Sequence, residues 1–367
     1  MTSKRAVVVL NVGSSSVKFR VYRAEAALPL LADGRVTGIG SRPRFQVDDQ
    51  ASEELNADTG QDEAVRLVLD YVDSKDRGWE LVAAGHRIVH GGEDFDHPVL
   101  VDDEVVERLQ RYTPLAPLHQ HHNLAAVRAL SERCPELPQV GCFDTAFHAG
   151  HDPVTRSFAL PEHLRNQGIR RYGFHGLSYE WIAQVLSEEP GGVPERVVAA
   201  HLGNGASLCA IRRGASVDTT MGMTALDGLP MGTRCGAIDP GAVLFMLRSL
   251  GLSLDEVERT LHDESGLKGL SGGISDMSEL VASDSADAKL ALDYFVLRTA
   301  QKIGEMVVSL GGLDALVFTG GIGENVALVR ERIVDRLAFL PAFDVRVIAA
   351  DEERMIARHT LCLLDQS

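Results

Sequence analysis

The sequence predicts an α/β protein built from two related halves. Three observations carry this. Strand-like runs meet Gly/Ser-rich turns at two distant places, helical stretches lie between them, and a third strand-like run leads into a glycine-rich turn and a helix. The chain has 367 residues, which points to two domains of roughly 150 to 200 residues.

The first strand-like run is AVVVL at 6–10, β-branched and apolar enough to be a buried strand. NVGSSS follows, then VKFRVY, which alternates as a second strand. The same unit recurs as RVVAA, HLGNGAS and LCAIRR within 196–213, so that Gly13 aligns with Gly203. The third run, Ala315 to Thr319, ends in the GGIGEN turn at 320–325. VALVRERIVDRLAF follows with helical spacing, and a helix N-terminus there suits a nucleotide phosphate. Helical spacing also marks Glu63 to Val72, Asn123 to Cys134, Tyr179 to Ser187, Gly241 to Leu250 and Ala286 to Leu310. Residues 40–60 are polar and patternless, which predicts a surface loop or hairpin. No P-loop pattern occurs, so any phosphate-binding turn belongs to another architecture.

Composition bounds the function. Apolar residues make up 45% of the chain and charged residues 24%, an ordinary globular balance. The formal net charge of −16 makes nucleic acid and anionic membranes poor partners, and anionic substrates would need a local convergence of cations. The five cysteines are scattered with no C-x-x-C pair, as expected of reduced thiols in a cytoplasmic protein. The apolar run at 6–10 is too short for a signal peptide, and no stretch is long enough to span a membrane.

Five constellations can carry chemistry. In Asn11-Val12-Gly13-Ser14-Ser15-Ser16-Val17-Lys18, small residues let backbone amides and hydroxyls surround an anion, with Lys18 pointing back at it; an ordinary polar hairpin is the alternative. Arg87, in GHRIVHGG, offers a planar fork for carboxylate or phosphate, unless it is a surface residue at a strand end. Asp144, in FDTAFH, either serves a metal or reacting group or caps the next helix. His175 sits between Phe174 and Gly176, where a structural role competes with a chemical one. Arg234, in MGTRCG, lies among small residues where it can reach a ligand. Histidines at 119–122 (HQHH), 148 and 151 raise a zinc site, but the spacing fits no zinc pattern. Three phosphate-type turns with these Arg, His and Asp residues make phosphoryl transfer the leading reading.

NVGSSSVKF, GHRIVHGG, PLAPLH, FDTAFH, YGFHG, HLGNGAS, MGTRCG and GGIGEN, in that order, together resemble the acetate kinase family, and DEERMIA at 351–357 extends the match. The resemblance implies the acetate and sugar kinase, heat-shock chaperone and actin superfamily fold. That fold has two duplicated actin-like (ribonuclease H-like) βββαβαβα domains with an interdomain active-site cleft. The domains expected are 1–148, with 353–367 packing back on it, and 149–352. The implied activity is reversible, Mg²⁺-dependent phosphoryl transfer from ATP to the carboxyl group of acetate, with Mn²⁺ an alternative metal, in a homodimer.

Carried over by position, Asn11 and Glu352 would hold the metal, and Lys18 would contact ATP. Arg87 would bind the carboxylate or acyl phosphate, with Val89, Leu118 and Phe174 around the methyl group. Asp144 is implied as the catalytic aspartate, and His175 and Arg234 as transition-state stabilisers. His201, Leu202, Gly203, Asn204 and Gly205, with Gly321, Ile322, Gly323, Glu324 and Asn325, would form the nucleotide turns. Asp276, Met277 and Ser278 stand where the family often has Asp-x-Arg, and Ala225 replaces a common proline, so that propionate is a further candidate substrate. The acid is already ionised at neutral pH and needs no general base, so Asp144 is expected to position rather than accept a proton. A non-catalytic nucleotide-binding module of the same superfamily is the rival from another class.

Overall fold

The computed structural model of the chain describes residues 4–13, 15–73, 78–117 and 119–365. It divides into two compact units, residues 1–146 with 351–367 and residues 147–350.

Unit 1 begins with three antiparallel strands, β1 (Lys4–Val12), β2 (Ser16–Arg23) and β3 (Leu30–Thr37). Ala6 to Leu10 are buried on both faces of the sheet, which is why the run is continuously apolar. The polar segment at 40–60 becomes β4 (Arg44–Val47) and β5 (Glu53–Glu54), a hairpin that extends the sheet edge. Helix α1 (Gln61–Val72) buries Ala64, Val65, Val68, Leu69 and Val72, spaced as one helical face. Strand β6 (Trp79–Ile88) then runs parallel to β1. The short β7 (Val99–Leu100), α2 (Asp103–Gln110) and α3 (Gln120–Arg133) lead to β8 (Gln139–Phe143), parallel to β6. The sheet order is β5-β4-β3-β2-β1-β6-β8-β7.

Unit 2 opens with short helices α4 (Pro153–Arg156) and α5 (Glu162–Arg165), then α6 (Gly176–Glu188). Strands β9 (Arg196–Leu202), β10 (Ala206–Arg212) and β11 (Ala215–Thr219) are again antiparallel. Five helices follow: α7 (Pro240–Arg248), α8 (Leu254–Asp263), α9 (Gly266–Ser271), α10 (Met277–Ala282) and the 25-residue α11 (Ala286–Leu310). Strand β12 (Ala315–Thr319) is parallel to β9, α12 (Gly320–Asn325) and α13 (Ala327–Arg336) follow, and β13 (Asp344–Val347) is parallel to β12. The sheet order is β11-β10-β9-β12-β13. Helix α14 (Glu352–Leu364) belongs to unit 1, where it packs on β1, β6 and β8 through Met355, Ile356, Ala357 and Thr360.

The inner five strands of unit 1, β3-β2-β1-β6-β8, repeat the order and directions of β11-β10-β9-β12-β13. The hairpins matched in sequence are β1–β2 and β9–β10, and Gly13 and Gly203 each stand first after their strand. GGIGEN differs from the expected open turn, because it is itself the short helix α12. Gly320 starts that helix with a φ of +79°, and a Cβ there would stand 2.8 Å from the Leu202 carbonyl oxygen. No helix among the described residues is long and apolar enough to cross a membrane.

Candidate active site

In unit 1 the parallel strands β1, β6 and β8 end side by side, and their C-terminal ends carry Asn11, Arg87 and Asp144. Loops at such strand ends are where α/β sheets place ligands. Arg87 donates from Nε to Asp144 Oδ1 at 3.0 Å and from Nη2 to Oδ2 at 2.6 Å. Its Nη1 donates to Asn11 Oδ1 at 3.3 Å and lies 3.6 Å from Glu352 Oε2. Asn11 in turn donates from Nδ2 to Glu353 Oε1 at 3.0 Å, which turns its carbonyl oxygen toward Arg87. Lys18 lies directly across from Asn11 on β2 and is exposed.

The Asp144 side chain is only 2% exposed. Its two options from sequence are thereby narrowed, since the carboxylate grips Arg87. That grip also alters the expectation for Arg87, whose Nε–Nη2 edge is already engaged and which has Nη1 facing Asn11 and Glu352.

The electrostatics follow from burial. Desolvation alone would push the Arg87 pKa down, but Asp144 and then Glu352 more than offset it and hold the guanidinium charged. Burial pushes the Glu352 carboxyl up to about 7; Arg87 opposes that rise and Asp144 adds to it. Burial would also raise Glu353, yet the hydrogen bond from Asn11 and the charge of Arg20 bring it below the ordinary range. Arg20 itself lies 3.6 Å from Glu353 and 2.6 Å from Asp351.

These donors suit a hard divalent cation. Asn11 offers an amide oxygen, and Glu352 offers a buried carboxyl whose charged form a bound cation would favour. No group of three or more His, Cys, Asp or Glu forms a metal cluster among the described residues. Mg²⁺ typically takes one or two protein carboxylates and completes its shell with water and phosphate, so a dedicated cage is not required. Glu353 was missed in the sequence reading, although it stands beside Glu352 in the acidic run at 351–353.

Two further unit 1 residues brace the site. Asn123 accepts the Val89 N–H at 3.0 Å and donates to the Val12 carbonyl at 2.7 Å, tying the exit of β6 to the end of β1. Gln120 exchanges two hydrogen bonds with the His90 backbone. Val89 is buried, and Leu118 lies outside the described residues.

Unit 2 gathers its own group around the HLGNG turn between β9 and β10. His175 is the N-cap of α6 and adopts a left-handed φ of 58°. Its Nδ1 lies 2.9 Å from Ser207 Oγ, and its ring stacks on His201 with centroids 4.3 Å apart. His201 Nδ1 lies 2.9 Å from Ser178 Oγ. With a serine at each Nδ1, both Nε2 atoms face the turn. His175 Nε2 is 3.4 Å from the position a Cβ would take on Gly205, and Arg234 Nη1 is 3.9 Å from the same point. His201 Nε2 is 3.8 Å from the corresponding point on Gly203, and so is the Gly321 nitrogen. Arg234 is steadied by the Ala225 carbonyl, which accepts from Nη1 at 3.0 Å.

Sequence-predicted residues of the nucleotide turns have mixed roles here. Leu202 is a core residue, and the Asn204 carbonyl accepts the Gly232 N–H at 3.3 Å, joining the HLGNG and MGTRCG turns. Glu324 Oε1 accepts the N–H groups of Gly320 and Ala350, and Asn325 donates to the Gly321 carbonyl. Ile322 is half-buried and Gly323 is buried in α12. Asp276 caps α10 by accepting the N–H groups of Ser278 and Glu279, and Met277 is a core residue. The segment nevertheless adjoins the Arg234 turn, because the Ser275 carbonyl is 3.4 Å from the Cβ position of Gly232.

Phe174 is buried, and its carbonyl lies 3.0 Å from His148 Nε2. His148 and His151 lie in unit 2, whereas the HQHH run starts α3 in unit 1, and no His/Cys/Asp/Glu metal cluster occurs among the described residues. Both rings instead bond Ser216 Oγ, at 2.8 Å and 2.7 Å. Burial lowers their pKa values to about 3 for His148 and about 4 for His151.

Known proteins match this chain in sequence and in fold. The model of the acetokinase family matches residues 6–359. An acetate kinase from Nitrobacter hamburgensis is 48% identical, covering 98% of this chain and 96% of its own length. The crystal structure of a propionate kinase from Francisella tularensis superposes with a TM-score of 0.91 at 34% identity, over 97% of this chain and 99% of that one. The acetate kinase structure from Porphyromonas gingivalis gives 0.88 at 34% identity, over 98% and 100%. These matches run over nearly the whole chain and nearly the whole length of each relative, and the chain belongs to the acetokinase family.

Proposed function

We propose that this chain transfers the γ-phosphoryl group of ATP to acetate, reversibly and with Mg²⁺, giving acetyl phosphate and ADP. The observation that carries phosphoryl transfer is the convergence of His175 Nε2 and Arg234 Nη1 on the position that a side chain at Gly205 would take. A loose, metaphosphate-like transition state spreads charge over its equatorial oxygens, and two donors aimed at one backbone-lined space suit that charge. The glycines at 203, 205 and 321 let backbone N–H groups approach the nucleotide phosphates.

Acetate as acceptor rests on Arg87 and on the names of the relatives. A carboxylate is ionised at neutral pH, so the reaction needs charge neutralisation and alignment rather than a base. Arg87 would attract the acid through its Nη1 side while Asp144 fixes the guanidinium plane. Asn11 and Glu352 would hold Mg²⁺, which when bound neutralises phosphate charge and helps orient the phosphates. Lys18 would add a further cation near Asn11.

Incubation with ADP and acetyl phosphate should yield ATP. Failure to form ATP with Mg²⁺ present would leave only nucleotide binding. A propionate-preferring enzyme is the second reading, favoured by the match to a propionate kinase structure and by the small Ala225. One methylene is worth only about 1–3 kcal/mol, so the two acids should differ by about 10- to 200-fold in kcat/KM at most. We also expect a homodimer. Helix α7, PGAVLFMLR, buries none of its residues and exposes Leu244 and Phe245, as a face covered by a second copy would. Light scattering of the purified chain tests this.

A further inference from the structure

His175 Nδ1, Ser207 Oγ and Tyr179 Oη form a short hydrogen-bonded series, with separations of 2.9 Å and 2.5 Å. Ser207 and Tyr179 are both completely buried. They reach His175 from two elements, β10 and the first turn of α6, so the series does not depend on one flexible loop. The role proposed for His175 does not by itself use either residue.

The direction of this series decides what His175 can do. A neutral imidazole donates from one nitrogen and accepts at the other, and the partner at Nδ1 selects which. A phenol is the more acidic hydroxyl and the poorer acceptor. At 2.5 Å the favoured arrangement has Tyr179 donating to Ser207. Ser207 has one proton, and it is then directed to His175 Nδ1. Nδ1 becomes the acceptor and the ring proton resides on Nε2, the atom that faces Gly205 at 3.4 Å from its Cβ position. The opposite direction would place the proton on Nδ1 and present a bare lone pair to an anionic phosphoryl group.

We propose that Ser207, oriented by Tyr179, is a positioning residue that sets the Nε2–H tautomer of His175. The ring is thereby a hydrogen-bond donor toward the phosphoryl oxygens without having to carry a charge. Stacking on His201 fixes the ring plane, and the αL backbone at His175 aims it. This inference rests on the assignment of His175 as a donor in the proposed reaction.

The test is ¹⁵N–¹H correlation spectroscopy of the histidine-labelled full chain at neutral pH, run beside steady-state kinetics. The His175 resonance is assigned by its loss in His175→Gln. The expected wild-type ring is Nε2–H. In Ser207→Ala the proton should move wholly or partly to Nδ1, and kcat should fall about 10²-fold with KM for acetate little changed. Ser207→Thr, which keeps the hydroxyl, should retain the wild-type tautomer. An Nδ1–H ring in the wild type, or an unchanged Nε2–H ring in Ser207→Ala, overturns the proposal. Should Ser207→Ala fail to fold, Tyr179→Phe carries the test, with a mixed tautomer expected and an unmixed Nε2–H ring contradicting it. A tautomer shift at unchanged kcat would uphold the series and overturn the donor role of His175, so the two ideas fail separately.

Discussion

Asp144 grips Arg87 along one edge of its guanidinium, with bonds of 3.0 Å and 2.6 Å between the ends of neighbouring parallel strands. Removing Asp144 leaves Arg87 with only the more distant Glu352 to oppose its charge, and losing one partner of so buried a pair typically costs about 3–5 kcal/mol. Asp144→Ala should therefore lower unit 1 stability by about that amount in urea titration, followed through Trp79 fluorescence in a Trp181→Phe background. Asp144→Asn keeps the shape and should be milder, yet turnover should still fall by about 10²-fold because Arg87 is no longer held. Near-normal turnover in Asp144→Asn, with unchanged Mg²⁺ dependence, would remove Asp144 from the mechanism.

The buried histidines of unit 2 predict acid sensitivity. Burial keeps folded His148 neutral down to about pH 3 and folded His151 down to about pH 4. In the unfolded chain both protonate near 6.5. Below that pH the unfolded state binds more protons, so stability falls as pH drops from about 6.5 toward 4, by about 1.4 kcal/mol per pH unit for each histidine. His151→Gln should reduce that slope by one such share. Unfolding followed through Trp181 in a Trp79→Phe background reads this in unit 2, and a slope unaltered by the substitution would refute it.

Two glycines separate packing from chemistry. A Cβ on Gly205 would meet His175 and Arg234 at 3.4 Å and 3.9 Å, ordinary contact distances. Gly205→Ala should stay folded, with stability within about 1 kcal/mol, while kcat drops by about 10²-fold as a methyl group fills the space both donors face. Gly173 has a φ of +80°, and its Cβ would stand 2.5 Å from Thr219 and 2.7 Å from the His148 ring. Gly173→Ala should instead cost about 2 kcal/mol or more in thermal and chemical unfolding. Equal effects of the two substitutions on stability would contradict this division.

Arg234 has a specific kinetic signature. Arg234 is half-buried in its turn, and Arg234→Ala should leave the protein folded. ADP binding, measured by calorimetry, should persist while kcat falls by about 10²- to 10³-fold. A change confined to KM for acetate would assign Arg234 to ground-state substrate binding instead.

Much of this was legible in the sequence because the relevant signals are local. The short, β-branched apolar runs Ala6–Leu10 and Ala315–Thr319, each meeting a glycine-rich turn, read as strands buried on both faces, and the paired Gly13 and Gly203 hairpins revealed the repeated topology. Motifs with Arg or His among glycines marked Arg87 at the end of β6, His175 at the start of α6 and Arg234 in its turn. What escaped notice is non-local. Glu353 meets Asn11 across most of the chain length, Asn123 bridges two strand ends from α3, and Ser207 on β10 reaches His175 at the start of α6. Such partners are ordinary polar residues whose pairing only the tertiary fold decides. The helical form of Gly320–Asn325 was hidden for a different reason: the low helix propensity of its glycines is overridden by packing against β9 and β12.

The most direct measurement is acyl phosphate formation, trapped as hydroxamate, with ATP, Mg²⁺ and acetate, propionate or butyrate in turn. Acetyl hydroxamate should form most readily, with propionyl hydroxamate behind it and butyryl hydroxamate weaker still. ATP hydrolysis without hydroxamate from any of the three acids would contradict it.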